Sequence, residues 1–468
     1  VLEPAYQADV VVVGAGIAGL AAAHRLTSAG VTTTVLEAAH CVGGRMATEK
    51  VDGFRLDRIG QPLSTAPTGT RLVPGLDGLA LLPFAPGVLL HSEGRHHRAG
   101  APASARGARG ALHAVRALAS APRSVPAPRR PVSAPRTPGR PLPAPRHRVG
   151  APLGTAVDQA RLAAALTRLA ATPVDRLLAR PELSAAEALA LRGLPARTID
   201  GFLRPLLAAL LCDPDLTTSS RCADLALRAF AGGPLGLPEG GAEALPELLA
   251  RGLPPGTVHT GVRVTSVATN AVTTAEHGVI RCRAVLVATD ARAAAELLPG
   301  LRVPDFHPVT VVHHTTDEPP TTGTALLLDA DRGGPVAHTA VISHVDPSRA
   351  PAGRALVSST VLGAPPSDVD TAARIHLSRL YGVPTTRWET LAVHHTPEAV
   401  PAMRPPHDPR RPVRLLAGLY VCGDHRDTSG VRGALHSAHR ASAAILTDLG
   451  ASRPMHTADP APTARAAA

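Results

Sequence analysis

The sequence predicts an α/β protein. A parallel, Rossmann-type sheet unit is joined to an α+β unit that holds a mixed sheet and helices. Two observations carry this. Residues 9–13 form an apolar run that breaks on Gly14, Gly16 and Gly19, passes into a helical pattern at 20–28, and is followed by a β-branched run at 32–36 that closes on Glu37. Far downstream, residues 309–314, 324–328 and 337–344 alternate like strands of a second sheet.

The first run reads as a buried parallel strand, because it is apolar throughout rather than alternating. In the helix that follows, Ala21, Ala22 and Ala23 allow close packing, and Gly30 marks its stop. Residues 54–59 read as a strand, and 75–90 as an apolar stretch broken by Pro and Gly. Between 121 and 150 lie nine prolines among Ala, Ser and Arg, a density that cannot build a packed helix or sheet. Residues 99–150 are therefore expected to be a flexible Pro/Arg-rich insertion with PPII character, part-helical near 111–119. Helical patterns follow at 157–169, 184–191, 198–211 and 242–250. Residues 257–267 and 271–274 suggest a hairpin turned near Asn270, and 284–288 a buried strand leading to a helix at 291–298. A helix at 368–380, a strand at 419–422 and a last helix at 433–449 complete the pattern, and the tail 451–468 reads as disordered.

With 468 residues, 44 % of them hydrophobic, the chain has material for two or three domains and a large core. The net charge of +11 would suit nucleic acid or an anionic surface. Its placement argues against a nucleic-acid partner. Residues 95–148 hold twelve Arg and no acid, and without those twelve the balance falls to −1. No aromatic ring interleaves with the run as base stacking requires. The five cysteines, Cys41, Cys212, Cys222, Cys282 and Cys422, show no CxxC spacing. Reduced buried thiols are expected, with neither a disulfide framework nor a metal site. No signal-peptide pattern opens the chain, and no uncharged apolar run approaches the roughly 18–20 residues of a membrane span. The expected location is the cytoplasm, with peripheral membrane contact left open.

Each glycine of the first turn has a physical task. Gly14 makes the turn, Gly16 lets a pyrophosphate approach the backbone, and Gly19 lets helix pack on strand. The helix start, Ala15, Ile17 and Ala18 included, offers N–H groups and a dipole to phosphate. Glu37, followed by Ala38, stands where an acid accepts hydrogen bonds from an adenosine ribose, which disfavours a 2′-phosphate. These residues point to a dinucleotide and leave FAD and NAD both open.

Gly43, Gly44 and Arg45 follow the acid directly. The combined stretch resembles the flavin amine oxidase, phytoene desaturase and protoporphyrinogen oxidase superfamily. Later segments are similar to that family in the same order: 52–61, ending in Gly60 and Gln61; Gly240-Gly241; Val262-Arg263-Val264; Val287-Ala288-Thr289; Gly423-Asp424; and Gly433-Ala434. The resemblance covers nearly the whole chain except 95–150 and the tail. It implies non-covalent FAD. Gly43, Gly44 and Arg45 would meet the pyrophosphate, Val264 the adenine, Asp424 the ribityl or phosphate region, and the last helix the flavin pyrimidine. It also implies an FAD-binding domain from 1–75, 235–300 and 413–450, with a substrate domain from 76–234 and 301–412. The family chemistry is removal of a hydride equivalent from a C–H bond, with oxygen or a quinone-like molecule as acceptor.

Two departures bear on the substrate. Amine oxidases of this family keep a Lys near the flavin, and the only Lys here, Lys50, follows the phosphate motif. They also flank the amine with aromatic rings, and residues 431–433 supply none. The segments 201–207 and 218–221 look more like the desaturase side, which suits a small apolar substrate. His314 and His395, each one of a His pair, and Trp388 are the candidate catalytic residues. Within a strand, His313 and His314 face opposite ways, as do His394 and His395. The alternatives are an amine oxidase, an NAD-dependent dehydrogenase, or a non-catalytic flavoprotein whose segment 99–150 binds an acidic partner.

Overall fold

The computed structural model describes residues 8–65, 75–76, 78–100 and 152–450. The expectations for most of the insertion and for the tail fall outside the described residues.

The chain opens with β1 (Ala8–Val13), α1 (Ile17–Ser28) and β2 (Thr33–Glu37). A hairpin, β3 (Thr48–Val51) and β4 (Phe54–Asp57), precedes the short β5 (Leu63–Ser64) and β6 (Leu81–Pro83). Then come β7 (Val88–Ser92), β8 (Arg95–Ala99), α2 (Ala156–Ala171), α3 (Ala185–Ala190), α4 (Arg204–Leu211), α5 (Ser220–Gly232), β9 (Leu235–Pro238) and α6 (Ala244–Arg251). The middle holds β10 (Val258–Thr260), β11 (Val264–Val267), β12 (Ala271–Thr274), β13 (Gly278–Val287) and α7 (Ala291–Leu297). The second sheet adds β14 (Phe306–Thr316), β15 (Leu327–Asp329), β16 (Val336–Val341), β17 (Ala355–Leu362), α8 (Val369–Tyr381) and β18 (Glu389–Pro401). The chain returns through β19 (Arg414–Leu416), β20 (Leu419–Val421) and α9 (Val431–Asp448).

The first sheet has the order β10-β2-β1-β13-β12-β11, with β20 also on β13 and β19 on β20. Strands β10, β2, β1, β13 and β20 run parallel. The first half of β13 pairs antiparallel with β12, and its last three residues pair parallel with β20. One face buries under α1, α6 and α9 and the other under α7 and the β11–β12 hairpin. Ala22 and Ala438 are both fully buried where α1 and α9 pack, which is what the alanine runs allow.

The second sheet has the order β18-β14-β17-β16-β15-β7-β8. Helix α8 covers one face through Ala373, Leu377 and Leu380. The helices between 156 and 232 bury Leu162, Phe202 and Leu227 with Leu90, Leu328 and Leu356 of the other. Sequence-encoded caps start several of these helices: Thr155 and Asp158 form one capping box, and Ser184 and Glu187 another.

The structure corrects the expected elements at several points. The helix expected over 198–211 is broken by a wide π turn at Ile199–Leu203, just before Pro205, which has no N–H to return to the carbonyl four residues back. The first arm of the expected hairpin divides. Val258–Thr260 pairs with β2, and Val262 N–H then bonds Glu37 O at 2.8 Å, so only β11 pairs with β12. The Arg-rich run begins as an edge strand, β8, whose charged side chains suit an unpaired sheet edge. Cys41 is exposed, whereas Cys212, Cys222 and Cys422 are buried, and burial pushes each of these three thiols up to about 12. No helix among the described residues is long and apolar enough to cross a membrane.

Candidate functional site

The site begins where β1 ends. Gly14 adopts φ +104°, and a Cβ there would lie 3.0 Å from Ala288 O at the tip of the neighbouring strand. A Cβ on Gly19 would strike Gly14 O at 2.0 Å, so α1 lies against the turn only because that residue has no side chain. A Cβ on Gly16 would meet nothing within 4 Å, because that position faces a cavity. The first-turn N–H groups of α1 have no acceptor within the helix.

Glu37 ties the turn to the next strand. Its Oε2 accepts from Ala15 N–H at 2.7 Å and its Oε1 from Ala39 N–H at 2.9 Å. The second glycine pair is stitched onto the first turn: Gly43 N–H donates to Ala15 O at 2.9 Å, and Gly16 and Gly43 form a bridge. Gly43 and Gly44 both hold positive φ, at 111° and 57°, which folds Arg45 back toward the C-terminal motif. The Arg45 guanidinium donates to Asp424 Oδ1 at 2.6 Å and to Ala399 O at 2.8 Å. Asp424 Oδ2 accepts from Gly430 N–H at 3.3 Å, ahead of α9. Residues 379 positions apart thus meet at one ion pair. Beneath Asp424, burial lowers the pKa of His425 to about 4, so its ring is neutral at pH 7 despite that neighbour.

These groups enclose a cavity of about 700 Å³. Gly14, Gly16, Ile17 and Ala18 line it at the first turn, and Glu37 and Ala38 at the second strand. Gly43, Gly44, Arg45 and Gln61 form another part of its wall. Val264 and Ala288 line it from the first sheet, and Gly423, Asp424 and Ala434 from the C-terminal motif. Three expected site residues do not line it. Ala15 is fully buried and acts through its hydrogen bonds, Gly19 is a packing residue, and Gly60 lines a neighbouring cavity of about 20 Å³.

Several lining residues had no site role in the sequence reading: Asp57 and Arg263, which lie in segments that the resemblance named, and Thr265, Glu296 and Val400, which no motif touched. Asp57 is the most committed of them. It accepts from Thr48 Oγ1 at 2.7 Å and Ala242 N–H at 2.9 Å, and pairs at 2.8 Å with Arg349, itself 1 % exposed. Nothing in the local sequence joins Asp57 to Arg349, which lies in the second-sheet region.

The three catalytic candidates lie elsewhere. His314 and Trp388 sit on the α8 side of the second sheet, their rings 5.9 Å apart, and His314 Nε2 meets Asp370 Oδ1 at 3.0 Å. His395 is exposed and bonds Thr310 Oγ1 through Nδ1 at 2.8 Å. Strand alternation turns the other member of the first pair inward. His313 is 1 % exposed and lines the small cavity beside Gly60, its Nε2 3.0 Å from Asp57 O. Lys50 is exposed and pairs with Glu243 at 3.1 Å, away from the cavity.

A second chamber of about 230 Å³ shares Gln61, Leu63, Gly430 and Val431 with the large cavity. One side of its wall is apolar, with Leu178, Leu211, Leu225 and Phe230, and the other carries Arg410, Asp427, Arg432 and His436. Among the described residues, neither chamber is lined by Lys, Tyr or Trp.

The described residues fit an elongated dinucleotide. Gly16 leaves room at the backbone, the helix start offers free N–H groups, and an acid closes the far strand.

The family model for flavin-containing amine oxidoreductases matches residues 17–446. Putrescine oxidase of Kocuria rosea is 51 % identical over 79 residues, which is 17 % of this chain and 16 % of that protein. A 4,4′-diapophytoene desaturase (4,4′-diaponeurosporene-forming) of Staphylococcus haemolyticus is 52 % identical over 48 residues, 10 % of each. The chain thus spans only a small part of the curated relatives it matches. In three dimensions it resembles an oxidoreductase from Methanosarcina mazei, with a TM-score of 0.65 and 17 % identity over 92 % of this chain and 99 % of that one. That likeness shows the fold.

Proposed function

The chain belongs to the flavin-containing amine oxidoreductase family, and on that premise we propose that it binds FAD non-covalently and oxidises a small apolar molecule. The observation that carries the reading is the single cavity joining Gly16, Glu37, Arg45 and Asp424. The first turn and α1 would take the pyrophosphate, and Glu37 the adenosine ribose. The Arg45–Asp424 pair would frame the middle of the cofactor, and the start of α9 its flavin end, where a helix N-terminus favours negative charge. When bound, the flavin supplies the hydride-accepting chemistry, and oxygen or a quinone-like molecule would take the electrons onward.

The protein's own share is to admit the substrate, orient it and exclude water. The apolar side of the chamber behind Gly430, with Leu178, Leu211 and Leu225, suits an apolar substrate, and the chamber's contact with the large cavity would bring a C–H bond to the flavin end. The same reading assigns 1–75, 235–300 and 413–450 to cofactor binding and 76–234 with 301–412 to the substrate. Each sheet having its own buried core supports this.

A visible spectrum of the purified protein tests the cofactor. Two flavin bands, with the flavin released on denaturation, are expected; colourless protein that binds NAD would overturn the reading. Anaerobic bleaching by polyunsaturated or saturated apolar candidates, and not by diamines, tests the substrate class. Bleaching by diamines alone would move the protein to amine oxidation.

A further inference from the structure

The ends of β7 and β15 bring together a set of ligand atoms that no cysteine or histidine spacing in the sequence announces. The two strands are parallel neighbours, and their register sets His91 beside Asp329. The chain then turns back after β15. Ala330 N–H bonds His91 O at 3.0 Å, and Asp331 comes over the same point. One ligand atom from each of His91, Asp329 and Asp331 lies within 4.8 Å of the others.

The carboxylates alone would be ordinary turn caps. Asp329 accepts from Asp331 N–H at 3.1 Å and Gly333 N–H at 2.7 Å, and Asp331 accepts from Ser92 Oγ at 2.8 Å and Glu93 N–H at 2.6 Å. His91 is different. It is 8 % exposed, and neither ring nitrogen has a hydrogen-bond partner. A buried imidazole with both nitrogens unsatisfied is costly unless something else occupies it. Here the missing partner would stand between that ring and two carboxylates.

A neighbouring histidine completes the arrangement. His376 is 3 % exposed, and its Nδ1 accepts from Val336 N–H at 3.2 Å. Its Nε2 therefore carries the proton and donates to Asp329 Oδ2 at 3.2 Å. This is the outer contact that fixes a metal-binding carboxylate in place.

We propose that His91, Asp329 and Asp331 bind one divalent transition-metal ion, zinc or manganese by their mixed nitrogen and oxygen donors, with His376 as a positioning residue. Ligand atoms roughly 2.0–2.2 Å from a tetrahedral ion stand roughly 3.3–3.6 Å apart, so atoms that lie within 4.8 Å of one another close on an ion with side-chain shifts of about 1 Å or less. The ion would clamp the β7–β8 edge hairpin to β15 and leave a coordination position for water. The proposal is independent of the flavin assignment.

The test uses the full chain, stripped with chelator and returned to metal-free buffer. Zinc, manganese, calcium and magnesium are titrated by calorimetry, and thermal unfolding is followed with and without each. About one equivalent of zinc or manganese should bind and raise the unfolding midpoint, with calcium and magnesium at least tenfold weaker. His91→Gln should lose the site. Asp331→Asn, at an exposed position and with an amide oxygen still able to accept from Ser92 or Glu93, should weaken binding by roughly tenfold or more, and His376→Gln by roughly 10–100-fold. All three should keep the visible spectrum of the parent. The proposal is overturned if the parent shows no saturable binding, if either ligand variant binds as the parent does, or if calcium binds best.

Discussion

Two glycines one helical turn apart should respond to substitution in opposite ways. Gly16→Val adds carbon where the structure has open space, so the apoprotein should fold with nearly unchanged stability and retain FAD at least tenfold less well. Gly19→Ala drives a Cβ into Gly14 O, so the apoprotein itself should lose stability. Denaturant unfolding of flavin-stripped protein separates the two, and equal destabilisation by both would remove Gly16 from the cofactor site. Arg45 makes a third test. Asp424 is 3 % exposed and pairs with that guanidinium, which is itself 35 % exposed. Arg45→Gln should cost on the order of 3 kcal/mol, the low end for a broken buried pair because one partner is partly solvated. Adding Asp424→Asn should recover part of the loss. A double variant no better than the single would mean the pair is not coupled.

Among the elements, α9 carries two roles at once: its first turn closes the cavity and its length packs on α1. Ala438 is fully buried at that contact. Ala438→Leu should cost about 1–3 kcal/mol through overpacking and should also weaken flavin retention, since α1 and α9 each present an end to the cavity. Val393→Ala on β18, at a position 41 % exposed, should change stability by less than about 0.5 kcal/mol and leave the spectrum alone. Thermal unfolding of both beside their flavin content checks this. Loss of stability in Ala438→Leu without any change in flavin content would uncouple the helix contact from the site. The elements were unevenly legible. The run of Val10–Val13 and the helix begun at Ala291 are legible locally, because buried parallel strands and helical periodicity follow from short-range chemistry. Strand β17 was missed: Ser358 and Ser359 break its apolar run, and their partners are side chains of β14 and β16 that no local pattern reveals.

For the molecule as a whole, buried histidines set the response to acid. Burial lowers the pKa of His313, His338, His425 and His436 to about 4 in each case. The unfolded chain protonates these rings near pH 6.5. Between about 6.5 and 4 the unfolded state therefore binds more protons, so stability is complete above pH 6.5 and falls as the pH drops toward 4. Urea midpoints should fall steadily from pH 7 to pH 5, above the range where ordinary carboxylates titrate. A flat profile across that window would contradict the burial of these rings.

The sequence by itself determined the first turn and the acid at Glu37, which rest on backbone conformations and donors that short stretches encode, and pointed to the second glycine pair and the distant Gly423-Asp424 through their resemblance to the family. Only the tertiary structure decided what those stretches enclose. It placed Asp424 on Arg45, set Arg349 behind Asp57, and carried His314, His395 and Trp388 away from the cavity while turning His313 inward. The physical reason is that strand alternation fixes only that neighbours face apart. Which face meets the cavity depends on how two sheets, each with its own buried core, come together.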